Sequence, residues 1–351
     1  MKNIGIIGCG KIAQIRHIPE YANQSSARLV GFFDLNLPRA EQLAAMYKAK
    51  AYATYEDLIA DPLIDAISVC TSNVTHAEIS IKALNAGKHV LCEKPMATNL
   101  DDCLDMAAAA KANNRFLMIG HNQRFTKAHQ KARELVLQGE IGEIITFRTV
   151  FGHAGPETWS IDPGPNTWFF DPNKAAMGVM ADLGIHKTDL IHFLTGLNII
   201  ETSAKLTTLN KRDSRGNLIG VDDNALCIYT LQNGAIGTMT VSWTHYGAEN
   251  NSTILYGSKG ILRIYDDPKH SLILIKENGE IVNFDLEQIQ TNDNQTDSGV
   301  IAEFVKCLEN QVEPQISAEE AIKAMRVVFA SQISSELGCS VIIKQNAAEA
   351  L

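Results

Sequence analysis

Two glycines, a small residue and a distant acid carry the first legible chemistry of this chain. Gly8-Cys9-Gly10-Lys11-Ile12-Ala13 has the spacing G-x-G-x-x-A, and it follows an apolar run and opens an amphipathic one. At a strand-to-helix turn that spacing suits a dinucleotide. Gly8 permits the tight turn, Gly10 lets backbone approach a pyrophosphate, and Ala13 lets the helix pack on the strand. Lys11 and Ile12 then sit at a helix N-terminus, which favours phosphate charge. Asp34 ends the next apolar run, 21 residues beyond Ala13. An acid there accepts hydrogen bonds from the adenosine ribose hydroxyls and repels a 2′-phosphate. NAD is therefore expected, and the nearby Arg39 keeps NADP open. The plainer alternative is a bare turn with Asp34 capping the following helix; strand, turn, helix and acid together favour the nucleotide.

Two further groups can hold an oxygen or move a proton. Asp182 precedes His186 by four residues, so on a helix both project from one face. An imidazole takes a proton near neutral pH. Glu93-Lys94-Pro95 places a lysine whose backbone is restricted by the proline after it. Taken alone, these residues read more readily as a satisfied helical pair and a surface ion pair.

The elements that must position them follow from periodicity. Short apolar runs over 4–8, 28–34, 66–70, 89–92 and 116–119 alternate with helical stretches over 12–21, 38–46, 76–86 and 100–113. Such βαβ alternation predicts a parallel sheet with helices on both faces, an α/β Rossmann domain over 1–122. Beyond it, strands are expected over 143–153, 200–208, 225–231, 235–243, 252–256, 261–265 and 272–276. They lack intervening helices, and Asn233-Gly234 is a hairpin signal between two of them. The second domain, 123–351, is therefore α+β with an open, mostly antiparallel sheet. Helices are expected over 127–138, 175–194, 300–309 and 318–336; those at the C-terminal end could pack back on the first domain.

Composition narrows the function classes. The chain has 351 residues, 45% hydrophobic and 20% charged, with a formal net charge of −9. Nucleic acid or an anionic membrane would need a basic face. No apolar run is long enough to span a bilayer, and the first residues enter a strand without a secretory core. Seven cysteines, several inside apolar runs and none in a C-x-x-C pair, read as reduced and buried rather than zinc-binding. A cytoplasmic protein without a metal is expected.

Three segments add a family resemblance: Val69-Cys70-Thr71-Ser72-Asn73-Val74-Thr75-His76, then Ala86 through Glu93-Lys94-Pro95, then Trp168 through Asp182-Leu183-Gly184-Ile185-His186 to Leu190. With the glycine motif they resemble the glucose–fructose oxidoreductase / inositol dehydrogenase (Gfo/Idh/MocA) family over nearly the whole chain. The resemblance implies an oxidoreductase moving a hydride between a nicotinamide cofactor and a secondary hydroxyl of a sugar, inositol or related polyol. It implies homodimers or homotetramers formed through the open sheet face. It makes Lys94 the active-site lysine, and Asp182 and His186 the acid and histidine facing substrate. Thr71, Asn73, His76 and Glu93 would line the cofactor, and Asn122 and Arg124 would lie beside the nicotinamide. Trp168 matches a tryptophan preceding the substrate segment. Phe169 departs from the family, where many members have arginine, and Ala176-Met177-Gly178 replaces a common glycine triplet.

Under that resemblance His186 would take the hydroxyl proton, Asp182 would orient the imidazole or bind a neighbouring hydroxyl, and Lys94 would stabilise the developing oxyanion. His121 either touches ligand or is structural. His153, Asp162, Trp243, His245 and Tyr246 read first as structural or surface residues, and His192 turns to another helix face. Two other readings stay open: a sugar hydrolase or isomerase using NAD transiently, and a non-catalytic NAD-binding regulator.

Overall fold

The computed structural model describes residues 1–287 and 297–344. They form two compact units: Met1–Asn122 with the described part of Gln290–Ile322, and the described parts of Gln123–Ile289 and Lys323–Leu351.

The first unit holds strands β1 (Lys2–Ile7), β2 (Ala27–Phe33), β3 (Lys50–Ala51), β4 (Ala66–Val69), β5 (His89–Cys92) and β6 (Leu117–Ile119). Their order is β3-β2-β1-β4-β5-β6, and every neighbouring pair is parallel. This is the doubly wound order, reversing direction between β1 and β4. Helices on both faces account for the unbroken apolar strands: Ile4, Ile6 and Ile7 of β1 and Val90, Leu91 and Cys92 of β5 are fully buried. Ser68, the polar exception in β4, meets the Tyr21 hydroxyl at 2.9 Å. Asn36, Thr54 and Asn99 each accept a first-turn N–H and start the helices Leu37–Tyr47, Tyr55–Ala60 and Leu100–Ala112. The two-residue β3 and the helix Tyr55–Ala60 are too short to show periodicity, and the sequence reading lacks both. The helix expected over 12–21 opens as a π-turn, Ala13–His17, before the α-helical Ile18–Ala22.

The second unit holds β7 (Ile144–Gly152), β8 (Ile199–Thr207), β9 (Asn224–Leu231), β10 (Ile236–Ser242), β11 (Thr253–Gly257), β12 (Gly260–Ile264), β13 (Leu272–Lys276), β14 (Ile281–Phe284) and β15 (Val341–Ile342). The order is β14-β13-β12-β11-β7-β10-β9-β8-β15. All pairs are antiparallel except β7–β10. Asn233-Gly234 makes the β9–β10 hairpin, with Gly234 at φ 87°. Strand β9 alternates cleanly: Ala225, Cys227 and Tyr229 are buried, whereas Leu226 and Ile228 are each 54% exposed. Strands β14 and β15 were not anticipated, the latter because two residues carry no pattern. Beyond the short β15 the edge of β8 is covered by the helix Ala318–Leu337. Ser334 and Ser335 accept the Ala204 and Leu206 N–H groups at 2.9 and 2.8 Å.

The single helix expected over 175–194 is corrected. The turn Pro172–Ala175 ends at Ala176, whose φ of 61° and ψ of −46° lie outside the helical region. The Met177 N–H donates to the Ala175 carbonyl at 2.8 Å, closing the positive-φ kind of γ-turn. Helix restarts as a π-turn, Met180–Gly184, running into Ile185–Thr195. Asp222 organises the restart: its carboxylate accepts the Gly178 and Met180 N–H groups, both at 2.8 Å. A Cβ on Gly178 would lie 1.9 Å from the Asp222 carbonyl oxygen, so only glycine fits there.

Candidate active site

Parallel strands deliver their carboxyl ends to one sheet edge. Gly8 follows β1, Asp34 follows β2, Thr71 follows β4, Glu93 and Lys94 follow β5, and His121 and Asn122 follow β6. The sequence-predicted residues of the first unit thus share the edge where ligands of open α/β sheets bind.

The two glycines differ physically. Gly8 sits at φ 91°, and a Cβ there would lie 2.5 Å from the Cys70 carbonyl oxygen. Its glycine is demanded by the protein. A Cβ on Gly10 would meet nothing within 4 Å. The space over Gly10 is open, as the approach of a pyrophosphate would require. Lys11 and Ile12 follow, half-buried. The Asp34 carboxylate accepts the Cys9 and Asn36 N–H groups, both at 2.7 Å, tying the glycine turn to the end of β2. Arg39 Nη1 lies 3.9 Å from Asp34 Oδ1. The acid is fixed where a ribose-binding carboxylate belongs, so the residues present fit NAD.

Lys94 is half-buried, and its peptide bond to Pro95 is cis. Glu93 beside it is buried; it accepts the Lys94 N–H at 3.2 Å and meets His17 Nε2 at 2.9 Å. Burial alone would raise this carboxyl, but the His17 hydrogen bond and the charges of His17, Arg16 and Lys94 bring it down to about 2. Glu93 thereby clamps the helix after the glycine turn to the backbone carrying Lys94. His76 is also buried: Nδ1 lies 2.7 Å from the Pro95 carbonyl and Nε2 3.2 Å from that of Thr71. Burial lowers its pKa, and it braces the two loops that hold Thr71 and Lys94. Thr75 donates to the Thr71 hydroxyl at 2.8 Å, and Asn73 is buried at the start of the same turn. His121 and Asn122 are buried just past β6.

In the second unit Asp182 and His186 are both buried, at 6% and 7% exposure. Trp243, fully buried on the strand end opposite, donates its indole N–H to Asp182 Oδ2 at 3.0 Å. Arg124 donates through Nε and Nη2 to Asp189 at 2.8 and 2.6 Å, one turn beyond His186. This bidentate buried pair pins the histidine-bearing helix to the segment after Asn122. Lys187, next to His186, is fully buried; its Nζ donates to the Asn251 carbonyl at 3.1 Å. Burial pulls its ammonium down to about 7, against the opposing charge of Glu249.

An aromatic chain joins the two side chains. The Phe151 ring lies 6.1 Å from that of His186 and 6.0 Å from His153, and His153 lies 6.3 Å from Trp159. Trp159 meets Phe169 edge-on at 5.3 Å, Phe169 stacks on Trp168 at 3.9 Å, and Phe169 reaches Trp243 at 6.4 Å. Trp243 returns to Asp182. His153 and Trp243 are thus both part of this ring of contacts. Tyr246 is 68% exposed and bonds Asn210, and Asp162 is exposed. His192 is buried, with Nδ1 3.2 Å from the Leu197 carbonyl.

His17, Trp243, Asp189 and Asp222 carry the positioning, and the sequence reading gave none of them that role. Each acts through a partner many residues away, which one-dimensional spacing does not display. All seven cysteines are free thiols, six of them buried. Among the described residues no group of three or more His, Cys, Asp or Glu could hold a metal ion, and no helix is long and apolar enough to cross a membrane.

A Rossmann edge with an NAD-type acid, in a chain that also carries a second α+β unit, defines a class of nicotinamide-dependent oxidoreductases. Residues 2–121 match the family described as an oxidoreductase family with an NAD-binding Rossmann fold, and 129–263 match the GFO/IDH/MocA C-terminal domain. The chain is 29% identical to a myo-inositol 2-dehydrogenase of Thermotoga maritima, covering 97% of this chain and 98% of that one. It is 30% identical to a trans-1,2-dihydrobenzene-1,2-diol dehydrogenase of Mus musculus, covering 74% and 73%. The structure of an oxidoreductase domain protein from Kribbella flavida superimposes with a TM-score of 0.86 at 26% identity, covering 98% and 100%. The chain belongs to the Gfo/Idh/MocA oxidoreductase family.

Proposed function

We propose that this protein is an NAD(P)-dependent dehydrogenase of a secondary hydroxyl on a sugar, inositol or related polyol, with NAD preferred. The observation that carries the proposal is the glycine turn, open over Gly10 and bound to Asp34, on the same sheet edge as Lys94. The named relatives act on an inositol and a cyclic diol, both of which carry secondary hydroxyls.

Residues 1–122 would hold the cofactor, and the domain from 123 on would shape the substrate site. Gly8, Gly10, Lys11 and Ile12 would face the pyrophosphate, Asp34 the adenosine ribose, and Thr71 and Asn73 the remaining nucleotide; Asn122 would lie near the nicotinamide. Glu93, His76 and Arg124 would act as braces. When bound, the nicotinamide supplies the hydride chemistry. Lys94 would donate to the reacting oxygen and stabilise its charge, and His186 would take the hydroxyl proton. Asp182, held by Trp243, would fix a neighbouring hydroxyl, with Trp168 and His121 bordering the substrate.

The apolar open sheet face, with Leu226, Ile228, Ile236 and Tyr256 at 54%, 54%, 52% and 36% exposure, would form a homodimer or homotetramer interface. Seven free thiols suit a reducing, cytoplasmic location. The test is a panel of inositols and sugars followed at the NADH absorbance band, with NAD and with NADP. A substrate-dependent signal stronger with NAD is expected, and Lys94→Ala and His186→Ala should cut turnover about 10²-fold or more while NADH still binds. Product without net NADH would replace this reading with transient NAD chemistry. Tight NADH binding with no turnover would point to a regulator.

A further inference from the structure

The aromatic chain is open to a ligand on one stretch. Phe151, His153 and Trp243 are buried, whereas Trp159, Trp168 and Phe169 are half-buried. Phe169 stacks on Trp168 at 3.9 Å and meets Trp159 edge-on at 5.3 Å. Three large rings therefore lie together on the part of the chain of contacts between His153 and Trp243. Three basic side chains of the adjoining segments are engaged within the fold. Lys211 is paired with Glu157 and the Ala154 carbonyl, Lys174 lies 3.9 Å from Asp171, and Lys187 is buried against Asn251.

We infer that Trp159, Trp168 and Phe169 form a neutral wall that selects an uncharged cyclic polyol by its apolar C–H face and rejects phosphorylated or carboxylated sugars. The inference deepens the dehydrogenase reading and rests on it. Aromatic faces carry negative charge density and attract the weakly positive C–H edges of a sugar or cyclitol ring. The same faces repel a phosphate or carboxylate. Such an anion would also give up hydration against these rings, which offer it no ion partner. An arginine at position 169 would offer a forked donor to phosphate or carboxylate. Phenylalanine there replaces that fork with another ring.

The test compares kcat/KM of the NAD-loaded enzyme for matched neutral and anionic substrates: myo-inositol, glucose and an anhydroglucose against glucose 6-phosphate and glucuronate. Neutral substrates should be preferred by about 10²-fold or more. Phe169→Arg should narrow that ratio at least about 10-fold, chiefly by raising activity on the anions. Phe169→Leu, which keeps the site apolar and guards against misfolding, should raise KM for neutral substrates about 5- to 10-fold and leave the anions rejected. Equal or better activity on the anionic member of a pair overturns the inference while leaving the dehydrogenase reading intact. So does a ratio unmoved by Phe169→Arg. If nothing on the panel turns over, the dehydrogenase reading fails, and calorimetry of the same probes on the NADH-loaded protein decides the inference. Neutral binding alone upholds it, and anion binding overturns it.

Discussion

Gly8 and Gly10 lie two residues apart in one motif, yet an added Cβ would meet the protein at the first and open space at the second. Replacing Gly8 with alanine puts an L-residue at φ 91° and a Cβ 2.5 Å from the Cys70 carbonyl oxygen. The left-handed backbone costs about 1–2 kcal/mol. The forced backbone shift adds about 1–3 kcal/mol. A total near 3 kcal/mol lowers the melting temperature of a unit of this size by about 6–12 °C. Replacing Gly10 with alanine adds a methyl into open space, so the melting temperature should stay within about 2 °C. The methyl occupies the approach to the pyrophosphate, however, so NADH affinity should fall about 10- to 100-fold, or 1.4–2.7 kcal/mol. Calorimetric melting without cofactor and isothermal titration with NADH separate the two effects. A stable Gly8→Ala protein would refute the packing argument. A Gly10→Ala protein that binds NADH like the wild type would refute the placement of the pyrophosphate.

Trp243→Phe removes the indole N–H that Asp182 Oδ2 accepts at 3.0 Å; turnover should fall about 10-fold with NADH affinity unchanged, and equal turnover would remove Trp243 from the positioning. Glu93→Gln breaks a fully buried pair with His17 and should cost about 3–5 kcal/mol in chemical denaturation. Because the wild-type carboxyl is depressed to about 2, its contribution is complete above the ordinary carboxylate pKa and is lost as pH falls toward 2. The wild type should therefore lose stability across that acid window, and the Glu93→Gln protein should lose less. Ala176→Gly relieves a positive-φ residue at a strain of about 1–3 kcal/mol, against about 0.5–1 kcal/mol of glycine entropy. A gain of about 1 kcal/mol should appear as a melting temperature higher by about 2–4 °C.

What was legible in the sequence was local. Strands β1, β2, β4, β5 and β6 show as apolar runs because both sheet faces are covered, and Gly8, Gly10 and Asp34 show because their spacing is set by one turn. Strands β3 and β15, two residues each, have no period to read. The break at Ala176 was hidden because the carboxylate that restarts the helix belongs to Asp222, more than forty residues later. The same distance concealed the Glu93–His17, Asp182–Trp243 and Arg124–Asp189 pairs. Trp243 reads as structural in the sequence, since a tryptophan in a strand usually is; its indole contact with Asp182 is visible only in the fold. Lys94, Asp182 and His186 drew their assigned roles from the family resemblance, since their spacing alone fits ordinary helical and surface pairs.

On the proposed function, Lys94 would hold the alcohol oxygen and His186 would take its proton, with a bound nicotinamide supplying the hydride chemistry. The most direct measurement is a single turnover with a neutral polyol deuterated at the reacting carbon, with the NADH analysed for label. The expected result is one deuterium on the nicotinamide ring per ketone formed, with the yield collapsing in Lys94→Ala and His186→Ala proteins that still bind NADH. Ketone formed without label on the nicotinamide, or full label transfer in both variants, would contradict it.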